Sequence, residues 1–161
     1  MMQFIPLTIE HYPEVERIYR EGLDTGIATF EVSVPSWEEW NKKFLAQCRW
    51  VAVDHDEIVG WCALSPVSQR KVYRGVAEST IYMAAAHRGK GFGKPLLQQL
   101  LTDSEAHGFW TLQAHIFPEN LPSIQLHLAC GYRKVGLRKQ IAQRNGKWHD
   151  NVLLEYRNQI Q

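Results

Sequence analysis

The most informative segment of the chain reads Arg88-Gly89-Lys90-Gly91-Phe92-Gly93-Lys94. We call residues 88–94 the glycine loop. Its three glycines let the backbone approach a ligand closely, and its three cations supply positive charge. A helix that begins within the loop would add free N–H groups and the positive end of a helix dipole. The glycine loop therefore predicts a binding site for a phosphate or a pyrophosphate.

The segments around the glycine loop predict alternating strands and helices. Val76–Met83 reads as a strand, and the leucine spacing from Gly93 to about Ala106 predicts a helix. Thr111–Ile116 then reads as a strand and Leu121–Cys130 as a helix, which Gly131 ends. The glycine loop is thus a strand-to-helix connection.

The N-terminal half predicts a strand, two helices and a hairpin. Gln3–Leu7 reads as the strand, and the apolar spacing after it predicts a helix that ends at Gly22. Ser36 and Glu39 form a capping box at the start of the second helix. The hairpin strands are predicted at Trp50–Asp54 and Ile58–Leu64.

The C-terminal segment predicts a second hairpin. Its strands are Arg133–Ile141 and Trp148–Tyr156, joined around Asn145-Gly146, a dipeptide typical of tight turns. The predicted order is β-α-α-β-β-β-α-β-α-β-β, which belongs to α/β or α+β architectures. We find no repeat or linker. We therefore predict a single domain over residues 1–161, with a mixed, mostly antiparallel central sheet and helices on both faces.

The charge balance and hydropathy exclude several classes of partner. The chain has 161 residues with 18 basic and 17 acidic side chains, a net charge of +1. A nucleic-acid partner normally requires a basic excess, so we expect none, although a local basic patch stays open. No apolar run approaches the ~20 residues that span a bilayer, and the N-terminus lacks a signal-peptide pattern. We expect no membrane partner, no metal and a cytoplasmic location.

The cysteines are three, widely separated and never in a C-x-x-C pair: Cys48, Cys62 and Cys130. This pattern argues against a disulfide framework or a thiolate metal site, and it fits a reducing compartment. Their apolar neighbours predict that all three are small buried side chains.

Two common phosphate-binding motifs do not match the glycine loop. A dinucleotide fingerprint needs G-x-G-x-x-G, whereas these glycines run G-x-G-x-G with no acidic residue at the end of a following strand. The P-loop pattern G-x-x-x-x-G-K-[ST] is absent. A flexible turn without a ligand would not require three glycines and three cations in seven residues.

The glycine loop and its flanks resemble the GNAT acetyltransferases over nearly the whole chain. Arg88-x-x-Gly91-x-Gly93 is similar to the family pattern [RQ]-x-x-G-x-[GA], and Asn120 and the Gly131-Tyr132 pair match further family positions. The resemblance implies a GNAT fold, acetyl-CoA as co-substrate and direct transfer to an amine without an acyl-enzyme. It implies cofactor contacts at Tyr82, Met83, Arg88, Gly89, Lys90, Gly91, Phe92, Gly93, Lys94, Asn120 and Ser123.

Four segments resemble the branch that acetylates phosphinothricin and methionine sulfoximine. They are Val76–Met83, Ser123–Tyr132, Gly146–Asp150 and, more weakly, Thr25–Phe30. The chain departs from many family members at Ala84-Ala85-Ala86-His87, where a histidine with a proline or aspartate is common. Despite this departure, the resemblance of the four segments implies a small amino-acid analogue as substrate.

Two titratable side chains are candidates for proton transfer. Glu78 lies in an otherwise apolar strand, where desolvation would raise its pKa, and the resemblance places it at the proposed general base. His127 occupies the helix position where most GNAT enzymes carry a tyrosine, so acid, base and relay roles stay open. The alternatives are an ordinary strand carboxylate and a structural histidine. The N–H near Met83 is the expected oxyanion donor.

The acceptor side of the site is less marked in the sequence. Arg70 and Tyr73 resemble a stretch near the acceptor pocket, where a guanidinium could hold the substrate carboxylate, although ordinary surface residues fit equally well. Phe30 is the expected apolar wall. Trp148 and His149 are either hairpin residues or neighbours of a second subunit's site.

The function we predict is transfer of an acetyl group from acetyl-CoA to the α-amino group of phosphinothricin, methionine sulfoximine or methionine sulfone. Two alternatives stay open: a GNAT enzyme for another amine, such as a polyamine or a protein N-terminus, and a non-catalytic acyl-CoA sensor. We also expect a homodimer, from the resemblance and from the aromatic-rich C-terminal hairpin.

Overall fold

The computed structural model describes residues 2–161. The strands, in chain order from β1 to β7, are Met2–Pro6, Trp50–Asp54, Glu57–Pro66, Val76–Met83, Thr111–Ile116, Arg133–Arg144 and Lys147–Arg157. The α-helices, from α1 to α4, are Tyr12–Asp24, Trp37–Lys43, Gly93–Ala106 and Leu121–Ala129. The element order agrees with the predicted one.

The strands of residues 2–161 form one sheet in the order β1-β2-β3-β4-β5-β7-β6. Neighbouring strands are antiparallel except β4 and β5, which are parallel. The β4–β5 pairing joins only Val76–Glu78 to Thr111–Gln113, although β4 continues to Met83 and β5 to Ile116. The two strands part beyond Glu78, and we call the opening the crevice.

Helices cover both faces of the sheet, as predicted, because each face carries its own apolar core. On one face, residues of α1 and α2 pack with Trp61 and the ring of Tyr82. On the other, the leucines of α3 pack with Leu112 and Tyr132. Side chains alternate along a strand. Glu78 and Tyr82 therefore share the α1 face, whereas Ser79 points to the opposite face and contacts Tyr132.

Helix α1 does not end where the sequence predicted. It continues beyond Gly22 to Asp24, and Gly22 is buried. A Cβ at Gly22 would collide with the ring of Tyr82, so this glycine serves close packing of α1 on β4 rather than helix termination. The other N-terminal signals hold: Ser36 accepts a hydrogen bond from Glu39 N–H and completes the predicted capping box.

The cysteines correct a second expectation. Cys48 and Cys62 are buried as predicted, whereas Cys130 is partly exposed. Cys130 directly follows α4 as its C-cap, where the packing of the helix covers the side chain only in part. Within residues 2–161, the helices are too short or too polar to span a bilayer.

Candidate active site

Among residues 2–161, no strand pairs with the edge of β4 that faces the crevice beyond Glu78, so its backbone groups are free there. Ala84 N–H donates to Val59 O of β3 at 2.8 Å. Backbone groups alternate sides along a strand, so the N–H groups of Ile81 and Met83 point away from β3. Strand β5 has separated there, and these groups therefore lie in the crevice, where Met83 N–H suits an oxyanion.

The glycine loop follows directly and has the backbone geometry that its glycines permit. Gly89 and Gly91 have φ of 73° and 82°, in the left-handed region. Helix α3 begins at Gly93 without a side-chain cap, so the N–H groups of its first turn are not satisfied by a side chain. Such a loop-to-helix turn is an anion site.

The cations of the glycine loop are available to a ligand. Arg88, Lys90 and Lys94 are exposed, and none of them forms an ion pair with another residue of the described part, 2–161. Phe92 is half-buried, with its ring centroid 5.8 Å from that of His87. The loop therefore combines positive side chains with backbone donors.

Helix α4 borders the crevice on the other side, and its first turn has a local cap. Asn120 Oδ1 accepts a hydrogen bond from Ser123 N–H at 3.4 Å. Gly93 lies against Leu126, where an added Cβ would be only 3.1 Å from a methyl carbon. This close packing holds the start of α4, with Asn120 and Ser123, near the glycine loop.

The predicted base, Glu78, is paired with a residue that sequence reasoning missed. His115 Nδ1 lies 2.6 Å from Glu78 Oε1. Glu78 is opposite Gln113 in the parallel register, and His115 lies two residues further along β5, so both side chains project from the α1 face. The only signal in the sequence was a polar residue in a strand whose positions alternate between half-buried and buried. That signal does not identify the side chain that the residue contacts.

The surroundings of Glu78 differ from the strongly desolvated site that the apolar strand predicted. Its side chain is 36% exposed and that of His115 is 24% exposed. Glu78 projects at the start of the crevice, where no strand covers it. The main feature of the Glu78 environment is therefore its contact with His115 and not burial.

His127 is among the buried polar residues. Its side chain is 2% exposed, and Nδ1 lies 2.7 Å from Ser123 O, so Nδ1 carries a proton that it donates to that carbonyl. Burial lowers the pKa of His127, which favours the neutral ring with an unprotonated Nε2. The ring packs edge-on against Tyr132 on the α3–α4 face, opposite Glu78.

Phe30 belongs to an aromatic cluster that closes the α1 face of the site. Its ring centroid is 4.6 Å from that of Phe117, which stacks on His149 at 4.9 Å. Phe117 follows His115 by two residues, directly after the end of β5. The loop before α2, β5 and the C-terminal hairpin therefore meet beside the Glu78–His115 pair.

Arg70 and Tyr73 lie on the connection between β3 and β4. Both are exposed, and the guanidinium carbon of Arg70 is 5.4 Å from the ring centroid of Tyr73. Within residues 2–161, Arg70 makes no ion pair that would occupy its guanidinium. The structure brings these two residues together but gives them no contact with Glu78.

One other cluster has ligand types that could suit a metal: Cys48, Asp103 and His107. Its groups bind one another and their neighbours, because Trp50 Nε1 donates to Asp103 Oδ2 at 2.9 Å and His107 Nδ1 lies 2.9 Å from Asp103 O. Burial raises the pKa of the Cys48 thiol to about 12, so the sulfur keeps its proton. Hydrogen bonds within the protein therefore account for the grouping of these three side chains.

The fold and the crevice define an acetyltransferase, and sequence comparison gives the same class. Residues 13–132 match the model of the acetyltransferase (GNAT) family. The chain belongs to this family and is an N-acetyltransferase.

Relatives with assigned names agree with the branch predicted from the sequence. Phosphinothricin N-acetyltransferase of Streptomyces viridochromogenes is 29% identical over 149 residues, which cover 90% of this chain and 81% of the relative. The L-methionine sulfoximine/L-methionine sulfone acetyltransferase of Pseudomonas aeruginosa is 31% identical over 99 residues, covering 62% of this chain and 58% of that protein.

Solved structures show the same architecture. A GNAT superfamily phosphinothricin acetyltransferase from Sinorhizobium meliloti, solved in complex with AcCoA, superposes with a TM-score of 0.87 at 30% identity. The match covers 97% of this chain and 88% of that one. The predicted GNAT fold is therefore confirmed.

Proposed function

We propose that this enzyme transfers the acetyl group of acetyl-CoA to the α-amino group of a small amino-acid analogue, with phosphinothricin, methionine sulfoximine and methionine sulfone as candidate acceptors. Acetyl-CoA is the co-substrate. The observation that carries the proposal is the position of Glu78, at the point where β4 and β5 part. There a titratable pair adjoins a crevice that leads to the glycine loop.

The cofactor would bind along the crevice. The glycine loop offers backbone N–H groups, Arg88, Lys90 and Lys94 to the pyrophosphate of coenzyme A. The pantetheine arm would then pass between β4 and α4, near Tyr82, Asn120 and Ser123. This path leads to the free N–H of Met83.

The chemistry follows from the groups at the end of that path. The acceptor reaches the enzyme as an ammonium, and the pair of Glu78 and His115 provides the base that removes a proton. The amine then attacks the thioester carbonyl carbon, and Met83 N–H stabilises the oxyanion. When the C–S bond breaks, the second nitrogen proton goes to the thiolate. His127, with a neutral ring, is suited to relay that proton rather than to act as a standing acid.

The acceptor would occupy the α1 face. Phe30, with Phe117 and His149, forms a wall for its side chain. Arg70 and Tyr73, with a guanidinium free of ion pairs in residues 2–161, are suited to its carboxylate. Arg70→Glu should therefore reduce acetylation of an amino acid and spare that of a polyamine.

A thiol-release assay with the three acceptors tests the proposal. We expect turnover with at least one of them, and Glu78→Gln should lower kcat about 10²–10⁴-fold while calorimetric binding of acetyl-CoA is unchanged. Glu105→Gln, an exposed carboxylate on α3, is the matched control and should keep wild-type kcat. Binding of acetyl-CoA without turnover of any acceptor contradicts the proposed substrate class.

We also propose that the enzyme is a cytoplasmic homodimer. The hairpin of β6 and β7 lies at the edge of the sheet and exposes Val135, Leu137, Ile141 and Trp148. A second copy of the chain would cover these side chains. Sedimentation should give twice the chain mass of 18.6 kDa, and Trp148→Glu should shift the mass toward the monomer.

A further inference from the structure

We propose that His115 is the group that removes the proton from the acceptor nitrogen, through Nε2, and that Glu78 is the positioning residue behind it. This inference rests on the proposed acetyl transfer and states how its base works. It assigns the direct contact with the acceptor to β5 rather than to β4.

The hydrogen bond between the two side chains fixes their division of roles. His115 Nδ1 lies 2.6 Å from Glu78 Oε1, and an ionised carboxylate can only accept a hydrogen bond. Nδ1 therefore carries the hydrogen, and the lone pair of the neutral ring lies on Nε2. A carboxylate that holds Nδ1–H in this way orients the ring and stabilises the imidazolium that forms, as in carboxylate–histidine–nucleophile triads.

The second ring nitrogen is free to meet a substrate. Within residues 2–161, Nε2 of His115 has no hydrogen-bond partner, and this atom is not fully buried. The His115 side chain is partly exposed, at 24%. Its Nε2 is therefore an accessible proton acceptor.

The position of His115 also favours contact with the acceptor. Pairing between β4 and β5 ends at Glu78 and Gln113, so His115 is the next residue on this face of β5 where the strands have parted. Phe117, two residues further on, packs against Phe30 and His149. An amine that rests on this aromatic wall would be next to His115.

The proton balance of the reaction is then complete. The ammonium gives one proton to Nε2, and the free amine attacks the thioester carbon. The C–N bond forms, the C–S bond breaks, and the second nitrogen proton ends on the departing thiolate. The proton on His115 returns to solvent. The products are the N-acetyl compound, coenzyme A thiol and one released proton.

Two substitutions of His115 separate this role from mere support of Glu78. His115→Asn keeps an amide N–H near the position of Nδ1, which can still hold Glu78, but it removes Nε2. His115→Ala removes both. We expect both variants to lose about 10²-fold or more in kcat with an accepted substrate and to bind acetyl-CoA like the wild type in calorimetry. His55→Asn, at an exposed turn, is the control and should keep wild-type kcat.

The competing outcome is a purely supporting role for His115. If His115→Asn keeps wild-type kcat while His115→Ala does not, His115 only supports Glu78 and the proposal is overturned. As a second measurement, the double variant Glu78→Gln/His115→Asn should be no slower than the slower single variant, because two residues that act as a unit are not additive. Fully multiplicative losses would contradict the proposal. An inactive wild-type enzyme would instead refute the proposed function, before any variant is compared.

Discussion

The glycine loop and the acceptor face are built in opposite ways. The glycine loop is seven consecutive residues whose backbone and exposed cations make the proposed cofactor site. The proposed acceptor face brings together side chains from the loop before α2, from β4, from β5 and from the C-terminal hairpin, including Phe30, Glu78, His115 and His149. A site made of local backbone depends on few residues, whereas a site made of distant side chains can change at each contributing segment.

This difference predicts that the two regions can be damaged separately. Changes in the glycine loop should weaken acetyl-CoA binding. Changes on the acceptor face should alter turnover or acceptor affinity and leave acetyl-CoA binding intact. Substitutions in each region test that separation, beyond the changes at Glu78 and His115 given above, and they follow in order of decreasing expected effect.

The largest effect on the cofactor side is expected from Arg88→Glu. A charge-assisted hydrogen bond contributes about 1.5–3 kcal/mol, so its loss should weaken acetyl-CoA binding about 10–100-fold in calorimetry. Arg138→Glu, another exposed arginine without an ion pair within residues 2–161, is the control. Equal affinities for both variants would mean that the glycine loop does not hold the pyrophosphate.

A pair of glycines isolates the role of the loop backbone. Gly91 and Gly146 have φ of 82° and 78°, and an added Cβ would meet nothing within 4 Å at either. Valine at either position should cost about 1–2 kcal/mol of unfolding free energy because of the left-handed backbone. Only Gly91→Val should also weaken acetyl-CoA binding. If Gly146→Val alone lost acetyl-CoA binding, the assignment of the cofactor site to the glycine loop would be wrong.

On the acceptor face, Phe30→Ala tests the aromatic wall. An aromatic pair contributes about 0.5–1.5 kcal/mol beyond its area, so the KM of an accepted substrate should rise about 2–10-fold. Acetyl-CoA affinity should be unchanged, and Phe30→Leu, which keeps apolar volume, should have a smaller effect. A change in acetyl-CoA affinity with no change in acceptor KM would mean that Phe30 serves the cofactor site and not the acceptor face.

The smallest effect concerns His127, which is buried on the face of the sheet opposite Glu78. Burial lowers its pKa in the folded chain, so below about pH 6.5 the unfolded chain takes up a proton that the folded chain resists. The free energy of unfolding should therefore fall as the pH drops from about 6.5 toward the lowered pKa, with no contribution from this group at higher pH.

His127→Asn keeps a donor for Ser123 O and removes this titration. Urea midpoints at about pH 7.5 and about pH 5.5 should therefore differ less for the variant than for the wild type. Identical differences in the two proteins would show that protonation of His127 does not affect stability.

Most of the fold could be predicted because its signals are local. The capping box at Ser36, the leucine spacing of α3 and the Asn145-Gly146 turn each act within a few residues, and the structure confirms them. Gly22 was predicted wrongly because its purpose is not local. Its missing side chain makes room for Tyr82, a neighbour sixty residues away in sequence.

Local patterns in the chain were enough to predict the glycine loop, the strand that carries Glu78 and the alternation that sends its side chain to one face. The pairing of His115 with Glu78, and the contacts among Phe30, Phe117 and His149, followed only from the three-dimensional arrangement of the strands and loops. The physical reason is that periodicity along a strand fixes which face a side chain points to, whereas its neighbour on that face depends on which strand lies alongside. For β4 that strand is β5, which follows only after a whole helix.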